Sequence, residues 1–344
     1  MSKTLKIWAR RCATVTGYVL AWLMVVATLP LTLLLALVVD VIRGNRLATV
    51  RTILMAAVFL SCEMVGITTS LLIWLFSFVW LGGDKARFVR WNFNLQQWWT
   101  GTLFGAAQRI YQLKLEITGD SIETGPIIVF IRHTSLADTM LPSALFSRRQ
   151  SPRQSLMLRY VLKRELLWDP CIDIVGNRIP NAFVERGTGN IAGGIAVVRR
   201  LMDGLTERDG VLIYPEGTRF TPAKLQKSLA KLAAGKDPKL YQKASVLRHV
   251  LPPRLGGPLS ILELNENADA VFCAHAGLES AVTVGDLLSG KLVGQVIRAH
   301  CWRVAFADIP RDREAQTDWL YEHWAKVDEW VATVGQAASL PDSR

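Results

Sequence analysis

From Cys12 to Val39 the chain carries no charged residue, in the run CATVTGYVLAWLMVVATLPLTLLLALVV. About 20 apolar residues are enough to cross a bilayer as a helix, at about 1.5 Å of rise each. The run has that length even with Pro30 interrupting its hydrogen bonding. A second uncharged run, MVGITTSLLIWLFSFVWLGG, extends from Met64 to Gly83. A cleaved signal peptide suits the basic start MSKTLKIWARR. It does not suit the length of the first run, and it leaves the second unexplained. The expectation is a pair of apolar helices held in a membrane, either crossing it twice or dipping into one leaflet. Basic residues flank the pair: Lys3, Lys6, Arg10 and Arg11 before it, Lys85, Arg87 and Arg90 after it. The connection also carries Arg43, Arg46 and Arg51, so the charge bias favours a cytoplasmic body by a small margin. Glu63 is expected at a helix end among the headgroups.

The net charge is +11 and twelve residues are tryptophan. Tryptophan favours membrane interfaces, and a basic surface attracts anionic lipid, phosphorylated substrates or nucleic acid. With two apolar runs and no recognition motif, a nucleic-acid binder is set aside. Cys12, Cys62, Cys171, Cys273 and Cys301 make no C-x-x-C pair and no cluster at zinc-ligand spacing, so they read as reduced thiols. Beyond the second run, Phe88, Trp91, Leu95, Trp98, Trp99, Thr102, Ala106 and Ile110 recur at helical spacing. They predict an amphipathic helix, lying on the membrane or against the body.

From about Leu113 short apolar segments alternate with helical stretches. LKLEITG, GPIIVFIRH, SLMLRYVL, GVLIYPEG, DAVFCAHAG and QVIRAHCWRVAF read as strands. This pattern predicts an α/β fold, a mixed sheet with flanking helices, preceded by the N-terminal pair of apolar helices. The expected division is 1–87 for the membrane hairpin, 88–310 for the α/β domain and 311–344 for a C-terminal amphipathic helix and tail. Leu320, Trp324, Val327 and Val331 form the apolar face of that last helix.

Three short stretches carry candidate chemistry. In IRHTSLADTM, His133 stands at a strand end and Asp138 in the first turn of a predicted helix from Ser135 to Phe146. An imidazole held by a carboxylate can act as a general base. Ser135 and Asp138 also fit a capping box, so Asp138 has a purely structural reading as well. In YPEGTRF, Glu216 and Arg219 follow a buried strand, where open α/β sheets bind ligands, and the planar fork of Arg219 suits phosphate. The same stretch reads equally as a surface turn with a solvated ion pair. In NRIPNAFVERGTG, Arg178 and Arg186 flank Phe183 in a turn, either as phosphate ligands or as plain surface. A fourth stretch, GDLLSGKL at 285–292, has the spacing of a phosphate loop but puts Leu292 where serine or threonine is needed, and is rejected.

H-x4-D, an F-x-x-R turn, P-E-G-T-R after a strand and a proline-rich loop, in this order, resemble the glycerophospholipid acyltransferase family over roughly residues 115–310. Within it, GTRFT followed by Lys224 and Lys227, and HVLPPR, are most similar to the 1-acylglycerol-3-phosphate acyltransferases. The resemblance implies that His133 is the base and Asp138 its partner. It implies that Phe183 and Arg186 belong to the motif that binds the acceptor's phosphate, and that Glu216, Gly217, Thr218 and Arg219 position the acceptor. Lys163 stands where the family often has a lysine near the phosphate, and Pro252 or Pro253 belongs to the motif linked to the acyl donor. No cofactor is implied beyond a thioester co-substrate, acyl-CoA or acyl carrier protein. The implied partners are a phospholipid membrane and a lysophospholipid acceptor, for an integral membrane protein with its catalytic domain on the cytoplasmic face. Two positions depart from the pattern: Arg132 replaces the usual asparagine before the histidine, and Tyr214 the usual phenylalanine. Arg132 is expected to add positive charge for the phosphate or the donor. Another lysophospholipid or a lyso-aminolipid as acceptor, and a lipid-binding scaffold with an inactive site, are the alternatives.

Overall fold

The computed structural model describes residues 2–79, 82–135, 137–146, 156–184, 191–235, 237–281 and 283–339. Helix α1 (Lys3–Arg43) continues through Pro30 and stops at Gly44, whose φ of 61° is left-handed. Helix α2 (Ala48–Val79) runs back along it, and Trp80 and Leu81 of the second uncharged run lie outside the described residues. Only 11% and 22% of their most apolar windows are buried, so these are not core helices of the body. Helix α3 (Lys85–Tyr111) starts where the Asp84 side chain accepts the backbone N–H of Arg87.

The body is a seven-stranded sheet. Its strands are β1 (Lys114–Gly119), β2 (Ile127–Ile131), β3 (Met157–Lys163), β4 (Ala182–Val184), β5 (Asp209–Ile213), β6 (Asp269–Ala276) and β7 (Val296–Val304), in the order β1-β7-β6-β2-β5-β3-β4. Among the described residues only the β6–β7 pairing is antiparallel. The helices between and after them are α4 (Leu141–Leu145), α5 (Pro170–Ile174), α6 (Ile191–Met202), α7 (Pro222–Ala233), α8 (Pro238–Ser245), α9 (Gly256–Glu263), α10 (Val284–Leu288) and α11 (Arg313–Ser339).

Every residue of β2 and β5 is buried, which is why these strands read as unbroken apolar runs. Their side chains still alternate between two cores. Ile128, Phe130, Phe272 and Ala274 face α9 and α11, while Ile127, Val129, Ile131, Val271 and Cys273 face Leu156 and Phe146. Leu320, Trp324, Val327 and Val331 are buried as predicted, so α11 seals one face of the sheet. The stripe of α3 is displaced from the predicted one. Asn92, Phe93, Leu95, Leu103, Phe104, Ala107 and Tyr111 are buried, whereas Trp98 is exposed. The helix packs on α2 and on the body at once, and that double contact turns its buried face by about one residue.

Glu63 is also not where the sequence suggests. It lies within α2, fully buried, and accepts hydrogen bonds from Trp99 Nε1 (2.9 Å) and the backbone N–H of Cys171 (3.2 Å). Polar contacts tie the hairpin to the body along its length. Arg10 and Arg11 pair with buried Asp173, Arg178 donates to the Ser70 carbonyl, and Tyr111 donates to Thr52 Oγ1. At the hairpin's tip, Asn45 and Arg46 donate to the carbonyls of Leu288 and Val293. The rejected phosphate-loop stretch is thus a docking point: Gly290 packs directly on Asn45.

Candidate active site

The parallel strands deliver their carboxyl ends to one edge of the sheet, and the candidate residues leave from there. Beyond β2, His133 turns its Nδ1 to Asp138 Oδ1 at 3.1 Å. Asp138 is fully buried in a 3-10 turn, Ala137–Thr139. Its Oδ2 accepts the backbone N–H groups of Thr134 and Ser135, the latter at 2.8 Å. Ser135 Oγ in turn accepts the N–H groups of Ala137 (3.0 Å) and Asp138 (3.1 Å). The capping contacts and the His133–Asp138 contact are therefore both present, one carboxylate oxygen for each. The predicted helix from Ser135 to Phe146 divides into this turn and the short α4, because Asp138 is committed to the turn and Pro142 opens a new helix.

Burial alone would raise the Asp138 carboxyl. The hydrogen bond and charge of His133, the charge of His275 and the Ser135 N–H outweigh it and hold the group below its ordinary value. An ionised Oδ1 requires a hydrogen on Nδ1 of His133, which leaves the lone pair on Nε2.

Two further side chains brace the dyad. Tyr214 Oη donates to the Asp138 carbonyl at 3.2 Å, and its ring lies 4.5 Å from that of His133. This hydroxyl is what the tyrosine adds over phenylalanine. His275, at the end of β6, is fully buried, with Nε2 2.8 Å from the Arg132 carbonyl and 3.9 Å from Asp138 Oδ2. Burial holds His275 below the ordinary histidine range against the pull of Asp138. Nothing in the local sequence marks it, because it comes from a strand more than a hundred residues away.

Arg132 does not face the cavity. Its guanidinium donates to the carbonyls of His249 (2.9 Å) and His275 (2.7 Å) and to Glu279 Oε1 (2.6 Å). The expectation of a free charge for substrate is replaced by an internal clamp.

The turn after β5 is bound to the dyad segment, since Phe220 N–H donates to the His133 carbonyl at 2.7 Å. Glu216 points inward and is fully buried. Burial pushes its carboxyl well above the ordinary range, and the nearby Arg132 charge only partly offsets this. Thr218 accepts from Lys224 Nζ (3.2 Å), which also donates to the Arg219 carbonyl (2.9 Å), so Lys224 braces the turn. Phe183, on β4, packs against Gly176. Arg186 lies outside the described residues.

A cavity of about 540 Å³ opens beside these groups. His133, Lys163, Gly217, Arg219 and Arg254 are on its wall. Much of the remaining lining is apolar and includes Phe59 of α2, Leu95, Trp99 and Leu103 of α3, and Ile172 and Val175 near α5. Pro252 and Pro253 are buried just behind Arg254. Arg254 itself was not singled out by the sequence, although it closes the quoted HVLPPR.

Residues 114–241 match the family model described as Acyltransferase. Among curated proteins none matches the chain. Among solved structures the chain is similar to the 1-acyl-sn-glycerophosphate (LPA) acyltransferase PlsC from Thermotoga maritima. The identity is 14% and the TM-score 0.52, over 86% of this chain and 100% of that one. This likeness is one of fold.

Proposed function

We propose that this chain, whose residues 114–241 form an acyltransferase-family segment, moves a fatty acyl group from a thioester to the free hydroxyl of 1-acylglycerol 3-phosphate. The observation that carries this reading is His133, held by buried Asp138, on the wall of a largely apolar cavity that also receives Lys163 and Arg219. Such a site offers a base, a place for an acyl chain and cations for a phosphate.

In the mechanism that follows, Nε2 of His133 takes the hydroxyl proton as the oxygen attacks the thioester carbonyl carbon. The tetrahedral intermediate collapses, the C–S bond breaks, and the departing thiolate recovers the proton from the imidazolium. Asp138 keeps the ring in the required tautomer and stabilises its cation. A thiol has a pKa of about 8.5, so the thiolate leaves far more readily than an alkoxide. A positioned base supplies roughly 10²–10⁴ in rate, and binding and orientation supply the rest.

The apolar hairpin brings this site to its lipid substrate. Its outer face exposes Leu20, Leu23, Leu31, Leu34 and Ile42 of α1 and Trp74, Phe76 and Phe78 of α2. Placement in one leaflet is supported by the contacts along α2. From Ala48 to Ser70, about 33 Å at about 1.5 Å per residue, α2 lies beside the body and bonds to it. A transverse hairpin would carry its tip about 30 Å away, across the hydrocarbon. In sealed vesicles, Arg43→Cys at the tip and Lys231→Cys on the body are expected to react with an impermeant maleimide from the same side. Labelling from opposite sides would overturn the one-leaflet placement.

The functional test supplies lysophosphatidate with labelled acyl-CoA or acyl carrier protein, to wild type and to His133→Ala. Wild type is expected to form phosphatidate with one donor or both, and the variant to form none above background. Normal turnover by the variant refutes the assignment of the base.

A further inference from the structure

The loop from Arg248 to Arg254 is held more firmly than a surface connection needs. Asp328 of α11 accepts the backbone N–H groups of Arg248 (3.0 Å), His249 and Val250 (2.9 Å). Arg132 donates twice to the His249 carbonyl, and Trp324 Nε1 donates to that of Leu251 at 3.0 Å. The N–H of Arg254 then donates to the Pro215 carbonyl at 2.8 Å, which ties the loop to the turn carrying Glu216 and Arg219. A buried carboxylate and a buried guanidinium thus fix the backbone of a loop that ends at the cavity.

Arg254 crosses the Gly217 turn so closely that a Cβ at Gly217 would stand 2.8 Å from its Cδ. Gly217 has a φ of 64° and no side chain, which permits both the turn and the crossing. Arg219 and Arg254 therefore reach the same cavity from two separately anchored loops. Arg254 makes no side-chain hydrogen bond or ion pair among the described residues. A guanidinium at the mouth of a largely apolar cavity calls for an anion, and its planar fork matches a phosphate monoester.

We infer that Arg254 is a specificity-determining residue that binds the acceptor's phosphate together with Arg219, on a loop set by Asp328 and Arg132. This rests on the acyl-transfer reading above. It explains the departure at Arg132, whose charge acts on the loop and not on substrate. Because the loop is fixed before binding, little ordering entropy opposes the contact.

The test compares wild type with Arg254→Ala and Arg254→Lys, after melting curves show that all three fold alike. The KM for lysophosphatidate is expected to rise about 10- to 100-fold in Arg254→Ala, the range for a charge-assisted hydrogen bond, with kcat changing much less. Arg254→Lys should recover part of the loss. The preference for lysophosphatidate over 1-monoacylglycerol, which has no phosphate, should fall in parallel. A rise confined to the KM for acyl-CoA, and missing with a phosphate-free acyl-N-acetylcysteamine thioester, would assign Arg254 to the donor and overturn the proposal. Unchanged constants in an active enzyme would also overturn it. If wild type transfers nothing, the functional reading has failed. Titration of sn-glycerol 3-phosphate into wild type and Arg254→Ala then judges Arg254 alone: weaker binding by the variant supports it, and equal binding refutes it.

Discussion

Replacing Asp138 by asparagine tests the dyad with the smallest change in shape. The native carboxylate offers acceptors on both sides, His133 Nδ1 at 3.1 Å on one and the N–H groups of Thr134 and Ser135 on the other. Asparagine keeps one acceptor and substitutes a donor for the other. If its NH₂ faced the two N–H groups, two buried donors would lose their partner, at a cost of about 1–3 kcal/mol each. The amide oxygen therefore stays on the turn, and the NH₂ faces Nδ1. That forces the ring hydrogen onto Nε2 and removes the lone pair that takes the substrate proton. The expected loss is the full contribution of a general base, roughly 10²–10⁴ in kcat, with little change in KM. The assay is steady-state transfer to lysophosphatidate, alongside His133→Ala and the double variant. Because the two residues act as one unit, the double variant should be no slower than His133→Ala. A kcat within about threefold of wild type, or losses that multiply, would refute this reasoning.

Glu216→Gln should stabilise the protein increasingly as pH rises. The folded state holds the Glu216 carboxyl well above its ordinary value, so above the unfolded value of about 4.3 the folded chain binds more protons and wild-type stability falls with pH. The variant lacks this fall, and a difference in Tm independent of pH would contradict it. Gly217→Ala forces a non-glycine residue into φ 64° against Arg254 Cδ, costing about 1–2 kcal/mol and raising the acceptor KM; wild-type constants would show that the turn has more room than described. Glu63→Ala leaves Trp99 Nε1 and the Cys171 N–H without their acceptor. The expected destabilisation is about 2–6 kcal/mol, read as a lower Tm in detergent, and an unchanged Tm would mean that water replaces the carboxylate at no cost.

The central strands were legible because they carry their burial in their own residues, whereas the three-residue β4 was too short to show a pattern and read as a turn. Ile127–Ile131 and Asp209–Ile213 are buried on both faces and read as uninterrupted apolar runs. The placement of His133 and Arg219 just past buried strands, with Asp138 in the turn beside His133, was legible for a related reason. Chemistry at the ends of parallel strands places the reactive residue just after the apolar run and its partner within a turn. The face of α3 was not legible, since periodicity reports that a helix has an apolar stripe but not how many neighbours share it. Glu63 misled because a lone carboxylate beside an apolar run has no visible partner in sequence, and its partners, Trp99 and the Cys171 N–H, belong to other elements.

The sequence by itself determined six of the seven strands, the apolar hairpin and the last helix, and that His133 and Arg219 each follow an apolar strand; it read Ala182–Val184, which is a strand, as a turn. Those features depend on contacts within a few residues or on burial that every residue in a segment records. Only the tertiary structure decided that the hairpin lies along the body, that Arg132 clamps a loop instead of facing the cavity, that His275 stands behind Asp138, and that Arg254 shares the cavity with Arg219. Each of these joins residues that the chain separates by dozens to hundreds of positions. Sheet order and helix packing bring them within hydrogen-bond reach, and no local pattern encodes such a meeting.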